Sequence, residues 1–252
     1  YSRFRRRRHG ATPQLTSPSQ FVVCSQNHDQ IGNRAAGDRL STLVSFDMLK
    51  LAAAAVILSP YTPLLFMGQE YGEEAPFQYF TSHGDRELAR AVTEGRRAEF
   101  AAFAWATEVP DPQDEATFER SKLRGSPALS GNQHQLRDFY RELLRIRREE
   151  AALADPSFDR LSATTLEDAQ IVAVRRWAGD ADAIVVLHFG REARDVNLSI
   201  PAGSWESIID SADARWGGSG SRIPPTIQSN GGARPSLGPE SVIVIARERG
   251  NA

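Results

Sequence analysis

The feature that most constrains this chain is a short apolar run that ends in a dense group of polar residues. The run, Phe21 to Cys24, is too short for a helix and predicts a buried strand. The polar residues that follow are Ser25, Gln26, Asn27, His28, Asp29, Gln30, Asn33 and Arg34. In parallel α/β sheets, loops at the carboxyl ends of strands face the ligand crevice, so this pattern is typical of a site-bearing loop. An ordinary strand exit, in which Asn27 and Asp29 form Asx-turns, explains the same residues equally well.

The residues after this loop predict a strand–helix–strand unit. From Leu43 to Ile57 apolar residues recur at near-helical spacing, the alanines favour a helix, and Pro60 ends it. The next apolar run, Pro63 to Met67, is closed by Gly68 and predicts a second buried parallel strand. The loops that follow two such strands lie at the same edge of a sheet. The residues after Gly68 therefore form a second candidate loop.

This second loop, GQEYGEEAPFQYF, combines carboxylates with aromatic side chains. Paired carboxylates serve as general acid and nucleophile in many glycosidases. The structural alternative is that Glu73 and Glu74 begin the next helix at its positive end, with the aromatic rings packed beneath the loop. We favour this alternative for Glu73 and Glu74, so replacing Glu73 by Gln should be nearly silent. For Glu70 both interpretations stay open.

Composition limits the classes of partner and compartment. The formal net charge is −2 and the pI about 6.3, so no overall field favours nucleic acid or an anionic membrane, and we expect neither as a partner. The single cysteine, Cys24, excludes an intrachain disulfide and supplies no metal cluster, so we expect no metal and no cofactor. Because the sequence contains no secretory leader and no apolar stretch of membrane-spanning length, we expect a cytoplasmic protein.

In the second half of the chain, sequence patterns typical of helices give way to patterns typical of strands. Long amphipathic helices are predicted for Asp85 to Trp105 and Asn132 to Leu153, with a Pro/Asp-rich loop between them. After Asp155-Pro156 the sequence predicts a small antiparallel β domain, with a long Gly-, Ser- and Pro-rich loop inside it. Its predicted strands are Ile171 to Trp177, Ala183 to Phe189, Asp195 to Ile200, Trp205 to Asp210 and Ser241 to Ala246.

The order of these segments resembles the end of an α-amylase superfamily enzyme. FVVCSQNHD is similar to the last signature of that superfamily, at the end of barrel strand seven. Within the superfamily, QNHDQIGNRAAGDRL, SPYTPLLFMGQEYGEEAPFQYFTSHGD, EGRRAEF and EVPDPQDEATFERSKL resemble the malto-oligosyltrehalose trehalohydrolases. The resemblance implies a retaining glycoside hydrolase that releases trehalose from the end of a malto-oligosyltrehalose, and its partner is expected to be this substrate or a related α-glucan.

The resemblance also implies roles for individual residues. Asp29 matches the carboxylate that stabilises the transition state, and His28 is its neighbour in the same signature. The other residues that we expect to bind substrate are Gln26, Asn27, Gln30, Asn33, Arg34 and Glu70.

The fold implied by the resemblance is the C-terminal part of a (β/α)₈ barrel, residues 1–155, followed by an antiparallel β-sandwich, residues 156–252. A whole barrel needs about 250 residues. No stretch matches the superfamily's nucleophile or general acid, so we expect both to lie upstream of Tyr1, in a missing N-terminal part of the same enzyme. Two alternatives remain: a glycogen branching or debranching enzyme of the same superfamily, and a non-catalytic glucan-binding module.

Overall fold

The computed structural model describes residues 1–13, 16–101, 109–124, 129 and 131–248. Its helices are α1 (His28–Gly32), α2 (Phe46–Ile57), α3 (Arg86–Ala101), α4 (Glu115–Ser121), α5 (Asn132–Glu149) and α6 (Ala151–Ala154). Its strands are β1 (Val22–Val23), β2 (Thr62–Pro63), β3 (Leu161–Leu166), β4 (Ile171–Ala178), β5 (Ala181–His188), β6 (Arg194–Asp195), β7 (Gly203–Asp210), β8 (Thr226–Ser229), β9 (Ser236–Leu237) and β10 (Ser241–Glu248). Among these described residues we find no helix with the length and hydropathy that a membrane span requires.

The predicted strand–helix–strand unit is present with shorter strands than expected. Strands β1 and β2 pair in parallel, with Val22 opposite Thr62 and Val23 opposite Pro63, and α2 connects them. The predicted second strand from Pro63 to Met67 is too long: the Leu64 amide still donates to the Val23 carbonyl at 2.8 Å, but Leu64, Leu65 and Met67 are exposed and not buried. The amide of Phe66 donates to the Gln69 side chain at 2.8 Å, which turns the chain away from the strand direction.

The sequence prediction located α2, but the predicted helix from Asn132 to Leu153 is divided into α5 and α6, and the short helices α1 and α4 were assigned to loops. Ser45 caps α2 by accepting a hydrogen bond from the Met48 amide at 3.0 Å, and the helix ends before Pro60 as expected. The predicted Pro/Asp loop contains α4, which Asp114 caps through the Ala116 amide. The last part of the predicted helix from Asp85 to Trp105, residues 102–105, lies outside the described residues.

The second half forms an antiparallel sheet in the order β3-β4-β5-β10-β7-β8. The predicted strand from Asp195 to Ile200 is only partly formed: Asp195 pairs within β6, Leu198 makes an isolated antiparallel bridge with Ala233, and residues 196–200 cross one face of the sheet. The sequence prediction also missed β3, and it assigned β8 and β9 to a loop. The second layer of the predicted sandwich is therefore a short ribbon, β6 with β9, and its connecting segments.

One apolar core joins the helices to this sheet. On β5, Ala183, Val185 and Leu187 pack against α2, α5 and α6, while Ile184 and Val186 pack against the crossing segments on the other face. A strand covered on both faces has no need of alternating polar residues, which explains its continuous apolar sequence. Helices α2, α5 and α6 and the sheet therefore share one packed core.

Two buried cations, Lys50 and Arg176, connect the helices to the sheet domain by hydrogen bonds. The Lys50 ammonium is fully buried and donates to the carbonyls of Ser211 at 2.7 Å and Trp216 at 3.2 Å. From β4, Arg176 donates to the carbonyl of Leu58 at 3.1 Å, just past the end of α2. Burial lowers the pKa of Arg176 to about 10, so its guanidinium remains charged at neutral pH. Both cations satisfy carbonyls that would otherwise be buried without donors.

Candidate active site

The first site loop leaves β1 and starts α1. The Asn27 side chain accepts a hydrogen bond from the Gln30 amide at 3.0 Å and so caps the helix. His28 and Asp29 occupy its first turn, with side chains that are 69% and 72% exposed. The Nε2 atom of His28 lies 3.4 Å from Oδ1 of Asp29. The Asn27 side chain therefore makes a local hydrogen bond of the expected Asx type, and His28 and Asp29 remain exposed in the same loop.

The other predicted binding residues of this loop divide into exposed and structural positions. Gln30 and Asn33 are exposed. Arg34 is half-buried, and its Nε donates to Asp38 at 3.2 Å. Gln26 is buried, and its side-chain oxygen accepts a hydrogen bond from the Leu40 amide at 3.0 Å. Gln26 thus braces the return of the loop, while Gln30 and Asn33 face solvent beside Asp29.

The second site loop begins after β2 at Gly68, a position where any other residue would be strained. Gly68 has a φ of +84°, and a Cβ added there would lie 2.7 Å from Cβ of Glu73. A 3₁₀ turn, Gln69–Tyr71, comes next and carries Glu70, which is half-buried. The Gln69 side chain is buried and donates to the Tyr140 hydroxyl at 3.0 Å. The loop is therefore pinned to α5 immediately beside Glu70.

Glu73 organises this loop, and our expectation that it begins a helix is wrong. Its carboxylate is buried and accepts hydrogen bonds from the amides of Glu74 at 2.9 Å, Ala75 at 2.8 Å and Arg124 at 2.9 Å, and from the Tyr71 hydroxyl at 3.2 Å. Burial raises the pKa of the Glu73 carboxyl, but these hydrogen bonds outweigh burial and hold the pKa below its ordinary value. Burial, together with the neighbouring Glu73 carboxylate, raises the pKa of Tyr71 to about 12.

Glu73→Gln should consequently destabilise the chain by about 1–3 kcal/mol, and not be silent, because an amide nitrogen would face at least one backbone donor. Glu74→Gln, at the exposed neighbouring position, is the matched control and should leave stability unchanged. Urea unfolding at several pH values measures both effects. Since the folded pKa of Glu73 is depressed, the wild-type advantage should be present at neutral pH and shrink as the pH falls below about 4. Equal unfolding midpoints for the two variants at pH 7 would contradict this role.

Two buried arginines join the loops to each other and to α3. Arg39 is 1% exposed and donates from Nε to the Ala75 carbonyl at 2.5 Å and from Nη1 to the Met67 carbonyl at 2.8 Å. Arg96 donates to the carbonyl of Gly32, at the end of α1, and its guanidinium lies 4.6 Å from the centre of the Tyr79 ring. These contacts hold α1 and the second loop as one unit.

The sequence prediction missed Arg39, Arg96 and the structural role of Glu73. Their partners are distant along the chain: the Arg39–Ala75 contact spans 36 residues and the Arg96–Gly32 contact spans 64. No local sequence pattern identifies such contacts. An arginine at an apolar-face position of a predicted amphipathic helix is only a weak signal. Among the described residues, no group of three His, Cys, Asp or Glu side chains is arranged to hold a metal ion.

A family model supports the second half of this architecture. The model of the α-amylase C-terminal all-β domain matches residues 164–248. The match begins inside β3 and ends with β10. The predicted antiparallel all-β domain is therefore confirmed, although the model gives no information on α1 or the two site loops.

Known proteins similar to this chain include characterised relatives and solved structures. The chain is 49% identical over 172 residues to a malto-oligosyltrehalose trehalohydrolase from Brevibacterium helvolum, covering 67% of this chain and 29% of the relative. It is 42% identical over 228 residues to the protein of that name from Rhizobium sp. strain M-11, covering 89% and 37%. A crystal structure of a candidate α-amylase from Salmonella typhimurium is 33% identical with a TM-score of 0.74, covering 94% of this chain and 37% of that one.

A more distant structure supports the fold alone. The α-amylase from H. orenii is 18% identical with a TM-score of 0.53, covering 90% of this chain and 40% of that chain. The chain spans about a third of the length of the curated relatives it matches. At this level of identity and coverage, the chain belongs to the malto-oligosyltrehalose trehalohydrolase family of the α-amylase superfamily.

Proposed function

We propose that this chain forms part of a glycoside hydrolase that cleaves the α-1,4 bond next to the terminal trehalose of malto-oligosyltrehalose. The observation that carries the proposal is the exposed Asp29 carboxylate on the first turn of α1, in a chain whose relatives are named for this activity. The relatives' activity extends to this chain only through a longer protein, since the match covers about a third of their length.

Asp29 is the group that we assign to transition-state stabilisation. Retaining glycosidases pass through an oxocarbenium-like transition state, in which positive charge develops on the sugar ring. A fixed anion beside that ring stabilises the transition state more than the neutral ground state. The cap from Asn27 and the Arg96 contact beneath α1 support this role, because both restrict movement of the turn that carries the carboxylate. His28, directly beside it, is assigned to a hydroxyl of the same sugar.

The polar residues next to Asp29 are assigned to the leaving group. Trehalose is compact and rich in hydroxyl groups, so a site that hydrogen-bonds those hydroxyls discriminates strongly against analogues that lack them. Gln30 and Asn33 are exposed beside Asp29, and Arg34 follows them. We assign Glu70, from the second loop, to the same pocket. Gln26 and Asn27 contribute by holding the loop in shape.

The remaining chemistry requires groups outside these 252 residues. Retaining hydrolysis uses a carboxylate nucleophile and a general acid about 5 Å apart. We propose that both come from the part of the relatives' length that this chain does not match.

The parallel pairing of β1 with β2 supports residues 1–155 as part of a (β/α)₈ barrel, with residues 156–252 as the all-β domain. The cytoplasmic location also stays a proposal.

The proposal predicts a specific product pattern for a longer protein that contains this chain. That protein should release free trehalose from malto-oligosyltrehalose much faster than it cuts a plain malto-oligosaccharide of equal length. It should form no α-1,6 branches, because the site is built for a trehalose leaving group and not for a glucan acceptor. Chromatography of the products after incubation with each substrate measures both properties.

The alternatives give different results in the same assay. Branched products, or equal rates on the two substrates, would make this chain part of a branching enzyme or a general glucan hydrolase. The 252-residue chain alone is the matched control and should release no trehalose, since it offers one of the three carboxylates that the mechanism needs. Trehalose release by the chain alone would contradict the assignment of the nucleophile and acid.

A further inference from the structure

The β domain contains a trough that lies outside both site loops. It runs between the edge strand β3 and residues 197–201, which cross the face of the sheet, and it has a volume of about 480 Å³. Binding cavities for small ligands occupy roughly 300–1,000 Å³, so the trough is large enough for a ligand of one to a few sugar rings. None of the residues that we assign to catalysis or substrate binding lines it.

The trough has an apolar floor and a neutral polar rim. Ile184, Leu198 and Ile200 are buried in the floor. The rim carries four exposed neutral side chains, Ser162, Thr164, Asn197 and Ser199. Within the described part of the chain, none of these four side chains has a hydrogen-bond partner. The rim therefore offers hydroxyl and amide groups, each able to donate and to accept.

The charged side chain in the trough is paired inside the protein. Arg175 is the charged side chain among the described lining residues. It donates from Nε to Asp182 Oδ1 at 2.9 Å and from Nη2 to Oδ2 at 2.7 Å, while the Asp182 side chain is fully buried. Arg247, which does not line the trough, also lies 3.5 Å from Oδ2 of Asp182. The bidentate pair directs the guanidinium of Arg175 toward Asp182 and not toward a ligand. The lining of the trough therefore suits a neutral ligand better than a charged one.

We propose that this trough is a second binding site for neutral α-glucan, separate from the site at Asp29. A glucan chain has apolar C–H faces and a rim of hydroxyls that both donate and accept, which matches an apolar floor with a neutral polar rim. The choice of α-glucan among neutral hydroxyl-bearing ligands rests on the proposed function. Since no aromatic platform lines the described trough, binding should be weak, with a Kd on the order of 1 mM.

Retardation of the 252-residue chain in a native gel that contains soluble starch tests the proposal. The wild-type chain should be retarded, and free maltoheptaose should reverse the retardation. The double variant Thr164→Val/Asn197→Leu removes two rim groups with little change of shape and should weaken apparent binding at least about fivefold. Ser162→Ala/Ser199→Ala should also weaken binding. Both variants change exposed residues, and an unchanged Tm shows that each is folded.

One control variant tests whether the effect is specific to the trough. Thr226→Val removes a hydroxyl from β8, the opposite edge strand of the same sheet, and should bind like wild type. The proposal is overturned by a wild-type chain that is not retarded, or by two double variants that are retarded equally with wild type. The gel measures glucan binding and not trehalose release. A negative result in the gel can therefore be distinguished from a failure of the proposed function.

Discussion

Asp29→Asn should lower kcat of a longer trehalohydrolase that contains this chain by at least about 10²-fold. The substitution keeps the shape of the side chain and removes its negative charge. Because charge develops on the sugar ring only in the transition state, loss of the anion should reduce kcat more than it weakens ground-state binding. The KM for malto-oligosyltrehalose should therefore change much less than kcat.

Steady-state kinetics with malto-oligosyltrehalose measure both constants. Asp168→Asn is the matched control, since Asp168 is exposed and lies on the β domain, away from both site loops. It should leave kcat and KM unchanged. A kcat for Asp29→Asn within about threefold of the parent would exclude Asp29 as the stabilising carboxylate, whatever the identity of the substrate.

The first site loop could be predicted in outline because its signals are local, although α1 was not predicted and Val22 of β1 is exposed where a buried strand was expected. Asn27 caps a helix whose amide donor is three residues away, and His28 and Asp29 follow directly on the first turn. Strand, cap and exposed polar pair all lie within a dozen residues, so the sequence contains the information. The same is true of α2, where Ser45 marks the start and Pro60 closes the segment.

The second loop could be predicted only in part because its structure depends on distant contacts. The sequence GEEAPF suggested the start of a helix, yet Glu73 instead receives donors from Tyr71, Ala75 and Arg124, and the last of these is 51 residues away. The composition of the loop indicated carboxylate chemistry, but composition does not distinguish a catalytic carboxylate from a buried structural one. Glu70 and Glu73 differ in burial, which only the fold determines.

The β domain shows the same limit for strands. The central strands β5 and β10 are apolar on both faces and were correctly predicted, because burial on both sides leaves a continuous apolar sequence. The edge strands β3 and β8 are polar and exposed along much of their length, so they resemble loops in sequence. Their pairing partners decide their conformation, and β8 pairs with β7 about 20 residues earlier.

Phe139→Ala should destabilise the 252-residue chain by about 3–5 kcal/mol. Phe139 lies on α5 with no exposed surface, and its ring centre is 5.5 Å from that of Trp216, at an angle of 70°. Trp216 belongs to the β domain, so the pair links the helices with the sheet. Removing the ring leaves a cavity in the core that the two halves share, and the edge-to-face contact is lost as well. Urea unfolding followed by far-ultraviolet circular dichroism measures the loss.

The outcome also tests whether the proposed division at residue 155 separates independent folding units. Because the core is continuous across that division, circular dichroism and tryptophan fluorescence should report one shared transition, which Phe139→Ala shifts as a whole. The matched control is Phe4→Ala, since Phe4 is 94% exposed and its removal should change stability by less than about 0.5 kcal/mol. Two separate transitions, with Phe139→Ala shifting only the helical one, would mean that residues 156–252 fold without the helices that cover their sheet.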